Sequence, residues 1–229
     1  VNITDAIRNG FLRGGKPSFI LPENFNPLPN YYHCTDLFYG MNLYRVFCEI
    51  EPLLQSDPTE FVRILTDFLE REAFTTPVNY HKLRFLGNHD TVSWVWQSRR
   101  AVDCYGVGGA KALWAVISFI DGMPMIYQGD EDRTLYLSEG ENLTKFFTKL
   151  FADRKKYIPK DNNETIYLHT GTPVMAFLRG NGKERRLFAI NLSDKEQTID
   201  LSNYKEAHPL LAKENSNVIK PYDYQIFAV

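Results

Sequence analysis

Two apolar segments of this sequence end in polar side chains, and a helical pattern lies between them. Residues 82–87 predict a buried strand that runs into Asn-His-Asp at 88–90. Residues 124–132 predict a second strand that ends in acidic side chains, and residues 108–120 between the two carry apolar side chains at helical spacing. A strand–helix–strand order with buried strands predicts parallel pairing through a crossover helix. We therefore expect a parallel α/β sheet.

The upstream sequence predicts more elements of the same kind. Residues 18–21 form an apolar run after a turn-like segment and predict a buried strand, and residues 35–47 predict a strand that leads into a helix. Asp57 is placed as the N-cap of a further helix, with Pro58 at the first helical position. Apolar residues at helical spacing extend that helix to about residue 73.

The pattern changes near Pro159, after a predicted helix over residues 142–157. From residue 165 onward, short apolar segments alternate with turn residues, which predicts a small antiparallel β domain. Asn181-Gly182 is the strongest hairpin signal in the chain. The predicted domains are therefore residues 1–160 and residues 161–229.

Composition excludes several classes of function. With 229 residues, 44% of them hydrophobic, the chain can form one ordinary domain and a small second one. A net charge of −2 provides no basic surface for nucleic acid or anionic lipid, and no apolar run approaches the roughly 20 residues of a membrane span. The three cysteines, Cys34, Cys48 and Cys104, are too few and too scattered for a disulfide framework or a zinc site. We expect no metal, no cofactor, no nucleic acid and no membrane partner.

Acidic residues follow three of the predicted strands: Glu23, Asp90 and the pair Asp130-Glu131. In a barrel of parallel strands, the carboxyl ends of all strands lie on one face, so these acids are expected near one another. Paired carboxylates at such a face suit glycoside hydrolysis. The ordinary alternative for any single acid is a helix cap or a surface charge.

Several segments resemble the α-amylase family of glycoside hydrolases. The longest matches are FLGNHDT at 85–91 and GMPMIYQGDE at 122–131, which are similar to the segments of the seventh and eighth barrel strands. Weaker likenesses to the fifth-strand segment, the sixth-strand segment and the C-terminal β-sandwich occur at SFILPENF (18–25), FYGMNLYRVF (38–47) and IKPYDYQIFAV (219–229). The resemblance implies the second half of a (β/α)8 TIM barrel followed by a small antiparallel all-β sandwich.

The resemblance also implies roles for individual residues. Asp90 is expected to stabilise the oxocarbenium-like transition state by binding sugar hydroxyls, and Asn88 and His89 are expected to contact the sugar beside it. Glu23 is expected to be the general acid/base, and Glu131 to be structural. Trp94 and Trp96 are either sugar-stacking platforms or ordinary core residues.

The family's nucleophile segment, roughly Gly-x-Arg-x-Asp, does not occur in this sequence. We therefore expect a C-terminal half that acts on an α-linked glucan or oligosaccharide only together with the missing N-terminal half of the barrel, is inactive alone, and self-associates through exposed sheet edges. The alternative is a non-catalytic, amylase-like interaction or assembly module. Nucleotide binding at the glycine-rich residues 105–113 is less favoured than a tight turn into a helix, because the phosphate-loop pattern is incomplete.

Overall fold

The computed structural model describes residues 2–23, 32, 34–77, 80–92, 99–135, 140–159, 164–211 and 216–229. The helices are α1 (Asn2–Arg13), α2 (Met41–Ile50), α3 (Leu53–Ser56), α4 (Pro58–Thr75), α5 (Ala101–Phe119) and α6 (Thr144–Tyr157). The strands are β1 (Leu37–Tyr39), β2 (His81–Arg84), β3 (Met123–Pro124), β4 (Thr165–Leu168), β5 (Val174–Arg179), β6 (Arg186–Asn191), β7 (Gln197–Thr198), β8 (His208–Pro209), β9 (Val218–Ile219) and β10 (Tyr224–Ala228). Among the described residues, no helix combines the length and the apolar character needed to cross a membrane.

The first three strands form a parallel sheet in the order β1–β2–β3, which confirms the predicted parallel pairing. The chain passes from β1 to β2 through α2, α3 and α4, and from β2 to β3 through α5. Helix α4 begins as predicted, because Asp57 Oδ1 accepts the backbone N–H of Glu60 at 3.1 Å and Pro58 occupies the first turn.

The predicted buried strand at residues 18–21 is wrong. This segment belongs to no strand: the carbonyl of Ile20 accepts the N–H groups of Asp36 and Leu37 at 2.9 and 3.3 Å, but Phe19 is 61% exposed. Ile20 donates its backbone N–H to Asp36 Oδ2 at 2.7 Å, so a side chain takes the place of the carbonyl that a sheet ladder requires. Pro22 has no N–H to continue the pairing. Glu23 therefore follows an irregular segment and not a strand.

Three other element boundaries differ from the sequence prediction. Strand β2 ends at Arg84 and β3 consists of two residues, because the chain beyond each strand turns into the loops that carry the polar side chains. Helix α5 begins seven residues before the predicted position of 108, at Ala101. Its N-cap is Arg100, whose N–H is accepted by Asp103 Oδ2 at 3.0 Å, and arginine is not a residue type that signals a helix start.

The glycine-rich segment 105–113 lies within α5 and packs against other elements. Gly106 has φ 68° and ψ 168°, which kinks the helix where a tight turn was expected. Gly108 lies against the ring of Tyr222, and Gly109 lies against Leu54. Close packing accounts for these glycines, which removes the argument for a phosphate loop.

The remaining strands are antiparallel. Five of them form a sheet in the order β4–β5–β6–β10–β8, and β7 pairs with β9. The predicted hairpin joins β5 to β6. Its connection is longer than a two-residue turn, because Asn181 is extended and residues 182–184 form a short 3-10 helix. The predicted boundary between residues 160 and 161 lies outside the described residues.

The five-stranded sheet has apolar side chains on both faces. One face joins the helices in the main core, which includes Trp114, Phe119, Phe177 and Phe188. The other face forms a smaller core with Ile199 and Ile219, beside the β7–β9 pair. Strands β8 and β9 were not predicted, because two-residue strands give no periodic signal.

Candidate active site

The polar triplet after β2 forms the first turn of a short helical segment. Asn88 Oδ1 accepts the backbone N–H of Thr91 at 2.9 Å, and Thr91 Oγ1 accepts the backbone N–H of Asn88 at 2.8 Å. This reciprocal pair is a capping box, with Asn88 as N-cap and Thr91 at the third helical position. Both residues are buried. His89 and Asp90 lie between them.

The structure brings Glu23, His89 and Asp90 together. His89 Nε2 lies 3.3 Å from Asp90 Oδ1 and 3.8 Å from Glu23 Oε1. One nitrogen and two carboxylate oxygens from these residues all lie within 4.8 Å of one another. The side chains of Glu23 and His89 are each 59% exposed, whereas that of Asp90 is 16% exposed. The Glu23 and His89 side chains are therefore open to solvent, whereas the Asp90 side chain is largely buried.

The segment that ends at Glu23 is positioned by hydrogen bonds to Asp36, the residue directly before β1. Asp36 accepts the backbone N–H of Ile20, and Arg8 of α1 donates to both oxygens of the same carboxylate at 3.1 and 3.3 Å. Arg8 also donates to the carbonyl of Cys34 at 3.2 Å. Arg8 of α1 and Asp36 therefore hold the segment that leads to Glu23, whose carboxylate lies 3.8 Å from His89 Nε2.

An apolar layer supports the cluster from below. Leu37 of β1, Leu83 of β2 and Phe85, which directly follows β2, share a core with Met41 and Tyr44 of α2. Alternate residues of a strand point to the same face, so this layer lies under the carboxyl ends of the strands.

Tyr39 continues that layer at the end of β1 and was missed by the sequence analysis. Its ring lies edge-on to Phe85, with ring centroids 5.8 Å apart. Burial raises the pKa of the Tyr39 phenol, and the charges of Glu23 and Asp90 raise it further. The phenol therefore stays protonated at neutral pH and able to donate a hydrogen bond. Its signal in the sequence was the alternation of Leu37 and Tyr39 in a strand next to the Asn-His-Asp strand.

The acids after β3 are engaged in their own loop. Asp130 is buried and accepts a hydrogen bond from Arg100 at 2.9 Å. Burial raises the pKa of Asp130, and the Arg100 guanidinium opposes that rise. Glu131 Oε2 accepts the backbone N–H of Gly129 at 2.9 Å. These contacts agree with the structural role expected of Glu131, and the expected convergence is seen for Glu23 and Asp90.

No family model matches the sequence, and no curated protein matches it. Solved structures do. The maltogenic α-amylase AmyB from Thermotoga neapolitana is 21% identical with a TM-score of 0.68, over 99% of this chain and 56% of that chain. An α-amylase from Lactobacillus plantarum is 15% identical with a TM-score of 0.70, over 98% of this chain and 53% of that chain. The cyclic α-maltosyl-(1→6)-maltose hydrolase from Arthrobacter globiformis is 16% identical with a TM-score of 0.68, over 99% and 53%.

The fold is that of α-amylase-type enzymes. The chain spans about half the length of the solved structures that it matches. The resemblance seen in the sequence is thus confirmed at the level of the α-amylase-type fold. The roles expected of Glu23, Asn88, His89 and Asp90 remain predictions.

Some acidic and histidine side chains lie as close together as the ligands of a cation site. Within the described ranges, two groups have the spacing of a cation site: Glu23 with His89 and Asp90, and Asp67 with Glu70 and His169. In both groups a ring nitrogen of the histidine already lies 3.0 to 3.8 Å from carboxylate oxygens, so spacing alone does not identify a metal. Trp94 and Trp96, the candidate stacking residues of an α-amylase-type site, lie outside the described residues.

Proposed function

We propose that this chain is part of an α-amylase-like glycoside hydrolase that acts on the α-glucosidic bonds of oligo- or polysaccharides by a retaining mechanism. The observation that carries the proposal is the cluster in which His89 Nε2 lies 3.3 Å from Asp90 and 3.8 Å from Glu23. The cluster follows a parallel sheet in an α-amylase-type fold. Glycosidases of this kind need an acid that protonates the leaving oxygen and anionic groups near the positive charge that develops at carbon.

In this proposal, the exposed Glu23 carboxyl is the general acid/base, because a group that meets the leaving oxygen has to be reachable by substrate. Asp90 binds sugar hydroxyls and stabilises the oxocarbenium-like transition state. His89 donates a hydrogen bond to the same sugar. Asn88 is buried, and its side-chain oxygen Oδ1 accepts the Thr91 N–H and holds the turn. Its Nδ2 has no hydrogen-bond partner among the described residues and is the atom proposed to contact the sugar.

We further propose that residues 1–160 are the second half of a (β/α)8 barrel and residues 161–229 a β-sandwich domain. The proposal is supported by the three-stranded parallel sheet and by the 53–56% of each matched chain that is covered. A barrel of this type needs eight strands. The retaining mechanism needs a nucleophile, which is proposed to come from the first half of the barrel. The 229-residue chain alone is therefore expected to bind sugar without hydrolysing it.

The experiment measures binding and hydrolysis separately in the same chain. Acarbose, which is bound in one of the matched α-amylase structures, serves as the ligand for calorimetry and NMR titration. Weak binding is expected in the native chain, and Asp90→Asn and Glu23→Gln should each lower the affinity about tenfold or more, since each removes a charged hydrogen-bonding group. Glu206→Gln, at an exposed position of the β-rich region, is the matched control and should change nothing.

Two outcomes would contradict parts of this proposal. Absence of acarbose binding in the native chain would remove the support for a sugar site. Hydrolysis of maltooligosaccharides by the native chain, abolished by Asp90→Ala, would contradict its inactivity alone.

The second candidate function is a non-catalytic, amylase-like interaction or assembly module. Apolar side chains exposed on α1, among them Ile3, Ile7 and Phe11, favour contact with another protein surface. The acarbose titration distinguishes the two candidates, because an assembly module has no need of an affinity for sugar that depends on Asp90.

A further inference from the structure

We propose that Thr91 is a positioning residue of the candidate site: its hydroxyl closes the turn that directs the Asp90 carboxylate towards His89 and Glu23. The proposal deepens the proposed function and rests on it in one respect, namely that Asp90 contacts the sugar. Thr91 itself faces no substrate, because it is buried beneath the turn.

The hydrogen bonds of the Thr91 side chain define this role. Thr91 Oγ1 accepts the backbone N–H of Asn88 at 2.8 Å and lies 3.2 Å from the carbonyl oxygen of Asn88, to which it can donate. The Thr91 backbone N–H donates in turn to Asn88 Oδ1 at 2.9 Å. Asp90 is the residue directly before Thr91, so the hydroxyl fixes the backbone from which the Asp90 carboxylate extends.

Thr91 also joins this turn to α2. Burial raises the pKa of the Tyr44 phenol, the neighbouring side chain of Cys48 raises it further and that of Thr91 lowers it, so the phenol lies beside both side chains. Tyr44 is buried, and its ring is stacked on Phe85 with centroids 5.6 Å apart. The turn is therefore held on two sides, by its own capping box and by a buried ring of α2.

Loss of the hydroxyl should act locally. In a Thr91→Val variant, the shape of the side chain is kept, but the buried Asn88 N–H has no acceptor from residue 91. The turn then loosens at Asp90, whose carboxylate lies 3.3 Å from His89 Nε2 and depends on that backbone for its position.

The test compares Thr91→Val with Thr91→Ser, which restores the hydroxyl, and with Thr66→Val as the matched control. Thr66 is equally buried, but its hydroxyl has no hydrogen-bond partner among the residues that the structure describes. The first readout needs no ligand: the carbon-13 resonance of the Asp90 carboxyl and the ring resonances of His89 should shift in Thr91→Val. They should return in Thr91→Ser and stay in place in Thr66→Val. The second readout is acarbose affinity, which should fall about tenfold in Thr91→Val only. The unsatisfied Asn88 N–H should also lower the melting temperature of Thr91→Val by a few degrees, with the chain still folded at about 25 °C.

Each outcome supports or overturns the inference. Unchanged Asp90 and His89 resonances in Thr91→Val overturn it, as does a failure of Thr91→Ser to restore them. A general loss of fold in Thr91→Val that serine does not repair would make Thr91 a structural residue only, and would also overturn it. If the resonances shift as expected but the native chain binds no acarbose, the positioning role stands and the proposed function fails.

Discussion

Gly108 lets the ring of Tyr222 lie directly against α5. This contact connects α5 to the β-rich region. A Cβ atom at Gly108 would lie 2.4 Å from Cδ2 and 2.9 Å from Cγ of Tyr222. Tyr222 has little freedom to move away, because its own φ is 53° in the turn before β10. Gly108→Ala should therefore lower the free energy of unfolding by about 1–3 kcal/mol, measured by urea denaturation, although alanine is the better helix former.

Gly10 provides the control, since it lies inside α1 and no atom comes within 4 Å of a Cβ built there. Gly10→Ala should raise the free energy of unfolding by up to about 1 kcal/mol. In a Tyr222→Gly background, which removes the ring and suits the positive φ, Gly108→Ala should no longer destabilise. Equal costs of Gly108→Ala in both backgrounds would show that the ring contact is not the cause.

Individual site residues were predicted from the sequence where their side chains were unusual for the surrounding pattern. They were missed where their side chains were ordinary for it. Asp90 and His89 were predicted because polar residues directly after an apolar strand need an explanation. Thr91 and Tyr39 were missed because a threonine and a tyrosine are ordinary strand or core residues, and their roles depend on neighbours distant in the chain.

The central element of the sheet, β2, buries charged residues on the face opposite the site. Leu83 and Phe85 support the site, whereas Lys82 and Arg84 point towards the helices and are fully buried. Arg84 pairs with Glu72 at 2.8 Å and with Asp121 at 3.1 Å, and Lys82 lies 3.2 Å from Glu72. Arg84 is thus the centre of an ion-pair network that links α4 to the turn after α5.

The two cations of β2 should differ in their contribution to stability. Burial lowers the pKa of Lys82, Arg84 adds to that effect, and Glu72 opposes it, so the charged ammonium is disfavoured in the folded chain. Lys82→Met should therefore be neutral or stabilising. Arg84→Met should cost about 3 kcal/mol, because it removes the principal partner of two partly buried carboxylates, Glu72 and Asp121. Both are measured by chemical denaturation at pH 7.

Leu83→Met, on the opposite face of the same strand, is the control for the methionine side chain and should cost less than about 1.5 kcal/mol. A large loss of stability in Lys82→Met would show that its pair with Glu72 outweighs desolvation.

Among the helices and strands, the sequence predicted the long helices and the parallel order, because both produce strong periodic patterns. It misassigned residues 18–21, because an apolar run does not reveal that Asp36 replaces a carbonyl in the pairing.

Considering the molecule as a whole, helix α1 exposes several large apolar side chains that no other described element covers. Ile3 is 77% exposed, and Ile7, Phe11 and Leu12 are also exposed, beside a groove of about 560 Å³ lined by residues that include Ala6 and Gly10. This exposure was not predicted, because a periodic apolar pattern shows that a helix face is to be buried but not whether its cover belongs to the same chain. The order of helices and strands along the chain, in contrast, follows from local patterns and was predicted for most of the sequence.

This surface should cause self-association of the isolated chain, which is also what the half-barrel proposal predicts. Sedimentation equilibrium at increasing protein concentration should show a dimer or larger species, and Ile7→Glu should shift the chain towards the monomer, because a carboxylate in an apolar interface is costly to desolvate. Phe74→Glu is the matched control: Phe74 is 94% exposed, lies near the end of α4, and should not affect association when replaced. A chain that stays monomeric and folded at every concentration would contradict this prediction. It would also weaken the half-barrel proposal. Half of a barrel exposes apolar surface to water, and this exposure favours association with another copy of the chain or with the other half of the fold.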